Sequence, residues 1–280
     1  GAFLPIPYIR GPGGGAHRTP KGLEQEYTLG GRLWERVRSW GQWLFRHDPL
    51  FLKGQNRAHA ILVCNRDSYE KVSANWSHKV HLIPVSGVDA KELSLPLLTK
   101  QKDRDFNVLT AGSLIRVKGF GLAIKAFRLL TDKYPNSRLT IAGEGPEEPR
   151  LRRLIHQSQI DDRVEFLGAV PRPELMSIMA SSDVLLFPSL RDGGGTVVVE
   201  AMSVGKPVVC LDISGPGLHV SESSGIKVTP STPTETAQNL AAALERLYLD
   251  EDLRVSLGEA ARERAREYYS WDRLGDRLME

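Results

Sequence analysis

From about residue 106 the chain alternates short apolar runs with segments at helical spacing. In order these are FNVLTAG, LAIKAFRLLTDKY, RLTIAGEG, PEEPRLRRLIHQS, RVEFLGAV, PELMSIMASS, DVLLFPS, VVVEAMSVG, KPVVCL and IKVTP. Runs such as VLT, LTIAG, VLLFPS and PVVCL are apolar at every position, the pattern of parallel strands buried on both faces. Strands that alternate with helical stretches of about 10–15 residues predict a doubly wound α/β sheet. The valines at 197–199 have strand propensity, yet Glu-Ala-Met follows at once. We read Thr196 to Val204 as a short helix stopped by Gly205 and followed by the Pro207 strand.

The first part of the chain carries a weaker version of the same pattern. AHAILVCN predicts a strand, DSYEKVSAN a helix and KVHLIPV a second strand, giving a partial α/β unit over residues 1–87. SGVDAKELSLPLLTKQKDRD is polar and has no clear period, so residues 88–105 read as a linker. The second domain spans 106–265, and 266–280 is expected to be a C-terminal helix that packs back toward the first domain. TETAQNLAAALERLY and LRVSLGEAARERAREYY are strongly amphipathic. In LWERVRSWGQWLF, Leu33, Val37, Trp40 and Leu44 form an apolar stripe with Arg32, Arg36, Arg38 and Arg46 around it. Such a stripe either packs on a sheet or touches an anionic membrane.

Composition narrows the class. Hydrophobic residues at 41% and charged residues at 25% are globular values for a chain of 280 residues. No run approaches the roughly 18 apolar residues of a membrane span. A net charge of +3 without a Lys/Arg block argues against a nucleic-acid surface, so no nucleic-acid partner is expected. Cys64 and Cys210 lie in apolar runs and read as reduced, buried and structural. GAFLPIPY lacks the charged start and long apolar core of a secretion signal. The expected location is the cytoplasm, at most peripheral to the inner face of the membrane.

The candidate chemistry sits in loops at strand ends, where open α/β sheets bind ligands. RDGGG follows DVLLFPS and precedes the predicted short helix. Glycines there let backbone N–H groups approach a ligand, and a helix start favours an anion. Asp192 stands in the loop and Glu200 about one turn inside the helix, at ~1.5 Å rise per residue, so the two carboxylates flank that position. The alternative is a tight turn with a solvated glutamate. SLIRVKGFG follows FNVLTAG and offers Arg116 and Lys118 as a diphosphate clamp, or else an ordinary basic turn. AGEGPEEP has the same place after its own strand.

Taken together, AGSLIRVKGFGLAIKAF, LTIAGEGPEEPRLRRLI, VEFLGAVPRPELMSIMASSDVLLFPS, DGGGTVVVEAMSVGKPVV and YYSWDRL resemble the C-terminal domain of glycosyltransferase family 4. RGPGGGAHRTP resembles a segment midway through that family's N-terminal domain. The resemblance implies the GT-B fold, two Rossmann-like doubly wound domains, here with the N-terminal one incomplete and its first part lacking. It implies a retaining, metal-independent hexosyltransferase-type enzyme that moves a sugar from a nucleotide-diphosphate sugar to a glycan, lipid-linked or small-molecule acceptor, as in cell-envelope polysaccharide synthesis. No cofactor is expected besides the donor substrate.

Carried over by residue, Lys118 holds the donor diphosphate, and backbone groups of Gly193, Gly194, Gly195, Thr196 and Val197 meet the phosphates and donor sugar. Glu200 is the second acid of the E-x7-E motif and binds ribose. Val170 and Arg172 lie where the backbone holds the base. Two positions depart from the pattern: Asp192 replaces the first glutamate and would orient the transferred sugar, and Ser113 stands where an arginine usually follows the glycine at Gly112, with Arg116 as a substitute cation. His17 reads as a loop residue beside three glycines. Asp103-Arg104-Asp105 matches a short metal-binding pattern but reads as a solvated charge run, and no metal is expected. A non-catalytic nucleotide-sugar-binding module and a related sugar epimerase remain as alternatives.

Overall fold

Each strand of the larger sheet buries successive side chains on opposite faces, which is why its sequence is apolar without alternation. Val108, Leu139, Ile141, Val184 and Leu186 join one core cluster, while their neighbours Leu109, Ala142, Leu185 and Phe187 join another on the far side of the sheet. The structure is a computed structural model and describes residues 6–94 and 105–279.

The N-terminal unit runs β1 (Ile9–Gly13), α1 (Leu29–His47), α2 (Pro49–Arg57), β2 (Ala60–Val63), α3 (Arg66–Trp76) and β3 (Val80–Leu82). Its three strands are parallel in the order β1-β2-β3, over a small core of Ala58, Ile61, Val63 and Val80. The expected strands and helix of this unit are all present. β1, formed by the IRGPG run, was not expected from its glycines and proline.

α4 (Ala90–Leu93) follows, inside the segment read as a linker. A capping box of Asp89 and Glu92 holds it, and Val88 pairs with Ser270 of the C-terminal region. Residues 95–104, including Asp103 and Arg104 of the Asp-Arg-Asp run, lie outside the described residues; Asp105 pairs with Arg138 at 2.5 Å.

The larger unit comprises β4 (Phe106–Ala111), α5 (Phe120–Thr131), β5 (Ser137–Ala142), α6 (Glu148–Gln157), β6 (Val164–Gly168), α7 (Arg172–Ser181), β7 (Val184–Phe187), α8 (Thr196–Ser203), β8 (Val208–Leu211), α9 (Ser214–His219), β9 (Gly225–Val228), α10 (Pro233–Leu249), α11 (Glu251–Tyr269) and α12 (Trp271–Met279). All six strands are parallel, in the order β6-β5-β4-β7-β8-β9. α5, α6 and α10 cover one face and α7, α8 and α11 the other. The valine-rich 196–203 segment is indeed a helix, and Gly205 ends it at a φ of 72°.

The expected C-terminal helix breaks at Ser270. There the Val88 N–H donates to Tyr269 O (2.8 Å) and the Trp271 N–H to Val88 O (3.2 Å), tying α11 and α12 to the end of the N-terminal unit. The architecture is thus α/β with two parallel-sheet units, as the sequence pattern predicted. Among the described residues no helix is long and apolar enough to cross a membrane.

Candidate functional site

The winding direction reverses between β4 and β7: the chain steps outward from β4 to β6, then returns to β7 on β4's other side. Loops leaving the carboxyl ends of two such strands diverge and open a crevice between them. Arg116–Lys118 form a 3-10 turn after β4, and residues 188–195 follow β7. The loops touch: the Leu190 N–H and the Ser189 hydroxyl both donate to Val117 O, at 2.8 and 3.1 Å. Gly119, at a φ of 73°, is needed there because a Cβ would collide with the Pro188 carbonyl.

Lys118 Nζ donates to Asp192 Oδ2, and its ammonium stands 5.5 Å from the centre of the Phe187 ring. The other carboxylate oxygen, Oδ1, accepts from the N–H groups of Gly194 (3.1 Å) and Gly195 (2.8 Å) at the start of α8. Burial pushes the Asp192 carboxyl up, but the Lys118 charge and these two N–H bonds outweigh it and hold the group below its ordinary range. Asp192, expected to reach out toward a donor sugar, therefore has both oxygens engaged by its own loop and by Lys118. Its side chain is one methylene shorter than glutamate, which lets it fold back onto the N–H groups two and three residues ahead.

The loop is fixed from several sides. Gly195 is left-handed (φ 61°), and a Cβ there would stand 3.0 Å from His219 Cδ2. Gly194 O accepts from the Ser86 hydroxyl (2.7 Å) and from His219 Nε2, which places the His219 proton on Nε2. Burial brings His219 down to about 4, so this ring is neutral at physiological pH. Because the Ser86 proton goes to Gly194, the hydroxyl of Thr196 donates to Ser86 Oγ at 3.0 Å. Neither Ser86 nor His219 was singled out in the sequence; a lone serine in a turn and a histidine in SGPGLHV carry no distinguishing pattern.

Glu200 lies inside α8 and is 7% exposed. Arg172 Nη1 meets its Oε1 at 3.1 Å, while Arg172 Nε and Nη2 donate to the two oxygens of Glu92 at 2.8 and 3.2 Å. Burial pushes the Glu200 carboxyl up, and Glu92 adds to this; Arg172 offsets part of it, and the net shift is upward. Arg172, expected to matter through its backbone, thus bridges two acids with its side chain. The neighbouring Val170 is half-buried against the core beneath α7 and α8. Gly112 and Ser113 sit at the top of β4, with Ser113 exposed.

Arg116 needs correction as a partner of Lys118. Its guanidinium donates to Glu26 O (3.0 Å) and Glu147 Oε1 (2.8 Å), so it ties the β4 loop to the N-terminal unit and to the start of α6. Glu147 also accepts from Arg150 at 2.7 Å. A carboxylate partner at that distance draws the guanidinium away from Asp192.

The N-terminal unit closes over the same loop. A Cβ on Gly193 would stand 3.3 Å from His17 Cε1 and 3.4 Å from Asn65 Nδ2. Burial lowers the His17 pKa, more than its bond to Gly14 O raises it. Arg191 donates to both oxygens of Glu35 on α1 (2.9 and 3.0 Å), and Asp67 accepts from the Ser214 hydroxyl (2.8 Å). His17, read from sequence as a loop residue, stands in the crevice wall. Both cysteines are free and buried; burial pushes the Cys210 thiol up to about 12. Among the described residues no three His, Cys, Asp or Glu side chains are grouped to hold a metal ion.

Two parallel-sheet units facing each other across such a crevice define the GT-B glycosyltransferase fold. The pneumococcal O-GlcNAc transferase solved with UDP and GlcNAc superposes with a TM-score of 0.67 at 20% identity, over 81% of this chain and 45% of that one. Sucrose-phosphate synthase from Thermosynechococcus elongatus gives 0.67 at 24% identity, over 82% and 60% of the two chains. The sequence is more specific: residues 99–264, more than half of the chain, match the family model of glycosyl transferases group 1, and the chain belongs to that family. The D-inositol 3-phosphate glycosyltransferase of Pseudarthrobacter chlorophenolicus is 36% identical over 180 residues, which are 62% of this chain and 42% of that protein. The chain thus spans less than half the length of that relative.

Proposed function

We propose that this chain carries the donor site of a retaining, metal-independent glycosyltransferase that moves a sugar from a nucleoside-diphosphate sugar to the hydroxyl of a glycan or lipid-linked acceptor. One observation carries the reading. At the topological switch point an ammonium and the N–H groups of Gly194 and Gly195, in the loop just ahead of α8, converge on a single anion, the Asp192 carboxylate. The same donors suit a phosphate, and a diphosphate entering there would displace Asp192 from them. The family assignment and the UDP found with the pneumococcal neighbour support a nucleotide ligand.

In this reading Lys118 and the N–H groups of Gly194 and Gly195 stabilise the charge that gathers on the leaving diphosphate as the glycosidic bond breaks. Glu200, held by Arg172, would accept from the ribose hydroxyls. Asp192, once released, would meet the transferred sugar. His17 and Asn65 line the acceptor side. Nucleotide-sugar binding without transfer is the second reading, and a transfer assay separates the two.

The test is calorimetry with UDP, GDP and ADP. At least one should bind, and Lys118→Ala should weaken it by about tenfold or more, the worth of a charge-assisted hydrogen bond. No binding by any of the three, or an unchanged affinity in the variant, would sink the assignment.

A further inference from the structure

α1 is mounted inside out. Leu29, Leu33, Val37, Trp40 and Leu44 recur at helical spacing, and all of them face solvent, with Leu29 83%, Leu33 62% and Trp40 63% exposed. Trp34, Trp43 and Phe45 extend the patch, and Leu50 of α2 continues it. The polar face points inward instead. Glu35 is only 9% exposed and is bound by Arg38 and Arg191; Arg38 reaches His17 O (3.5 Å), and Gln42 donates to Gly15 O. The helix is held by salt bridges to the crevice loops while its hydrophobic stripe is left uncovered by the described residues, the reverse of the arrangement expected for a helix on a water-facing surface. A contiguous exposed apolar patch of this kind marks an interaction site.

Charge identifies what covers it. Around the stripe stand Arg32, Arg36 and Arg46, whereas Arg38 is turned inward onto Glu35; residues 29–57 hold two acids. Neither acid faces outward freely: Glu35 is buried against Arg191, and Asp48 caps α2 by accepting from the Phe51 N–H at 2.8 Å. Arg36 is exposed at the stripe itself. A second copy of α1 would set these cations against one another, whereas anionic headgroups would neutralise them.

We infer that α1 and the start of α2 dock on an anionic lipid surface, the stripe entering the headgroup boundary and the arginines contacting phosphates. Tryptophans suit that depth, since an apolar ring buries while its N–H stays wet. The segment lies on the bilayer and does not cross it. Its inward face would hold Gly15, His17 and Arg191 about one helix diameter, ~10 Å, from the lipid.

The test uses the full 280-residue chain and vesicles of phosphatidylcholine, alone or mixed with phosphatidylglycerol. The chain should sediment with the anionic vesicles, with a blue shift of tryptophan emission, and only weakly with the neutral ones. Leu33→Ser with Trp40→Ser should cut binding by more than about tenfold, because the buried apolar area is lost, while thermal melting stays unchanged, both positions being exposed. Arg32→Glu with Arg36→Glu should abolish the preference for phosphatidylglycerol. Absence of binding, equal binding to both vesicle types, or a concentration-dependent dimer that Leu33→Ser with Trp40→Ser dissolves would each overturn the inference.

Discussion

Asp192 and Glu200 stand on either side of the start of α8 and are buried to a similar degree, with side chains 12% and 9% exposed. Their carboxyls nevertheless shift in opposite directions, Asp192 down and Glu200 up. Burial pushes both up. At Asp192 three donors override it; at Glu200 one guanidinium, shared with Glu92, does not. Within one crevice the donors aimed at an acid, more than its depth, decide its charge. The Asp192 end is organised for an anion, and the Glu200 end keeps a carboxyl that is more readily protonated.

This contrast can be broken most strongly at Lys118. Lys118→Ala leaves the Asp192 carboxylate buried beside its loop with only the two N–H groups, and should cost about 2–3 kcal/mol of stability. Arg172→Ala should cost less, about 1 kcal/mol, because its guanidinium is half-exposed and ion pairs of that kind are weak. Chemical denaturation of the two variants compares the ends directly; equal losses would dissolve the distinction.

Next in size is a reversal of sign in ligand binding. Asp192→Asn removes the internal anion that competes for Lys118, so nucleoside-diphosphate affinity should rise, by up to about tenfold. Glu200→Gln weakens an acceptor for ribose and should lower it. A fall in calorimetric affinity for Asp192→Asn would mean that the carboxylate is not a competitor.

The pH dependence sharpens the comparison further. Asp192 has a depressed folded pKa, so its stabilisation is present above the ordinary carboxylate range and is lost as pH falls through the folded value. Glu200 has a raised one, so its contribution is present below the ordinary range and is lost as pH rises through the folded value. Melting curves from acid to neutral pH should therefore show Asp192→Asn flattening the acid limb, and Glu200→Gln recovering stability at neutral pH.

The smallest expected effect is Gly195→Ala, about 1 kcal/mol from the left-handed backbone and the contact with His219. It should loosen the N–H groups that hold Asp192 and raise that carboxyl alone, which carboxylate titration by NMR would read against an unmoved Glu200.

Much of this site was legible in the sequence because its parts are local. The apolar runs marked β4 and β7, the glycines marked the loop after β7, and Gly205 with the Pro207 strand bounded the short helix that carries Glu200. Lys118 meets Asp192 at the crevice and Glu200 lies one turn inside α8. Arg116 turns elsewhere, because its partners Glu26 and Glu147 lie far along the chain on either side of it. The bridge from Arg172 to Glu92 likewise spans 80 residues, and Glu92 sat in a stretch that looked like a structureless linker.

The chain's own periodicity determined which segments are strands and helices, their order and the loops that end at the crevice, since those depend on neighbours a few residues apart. Tertiary structure decided which charge meets which, that the Asp192 carboxylate closes on Lys118, and that α1 turns its apolar stripe outward. A pattern shows that a helix has an apolar face; what lies over that face depends on residues the pattern does not contain.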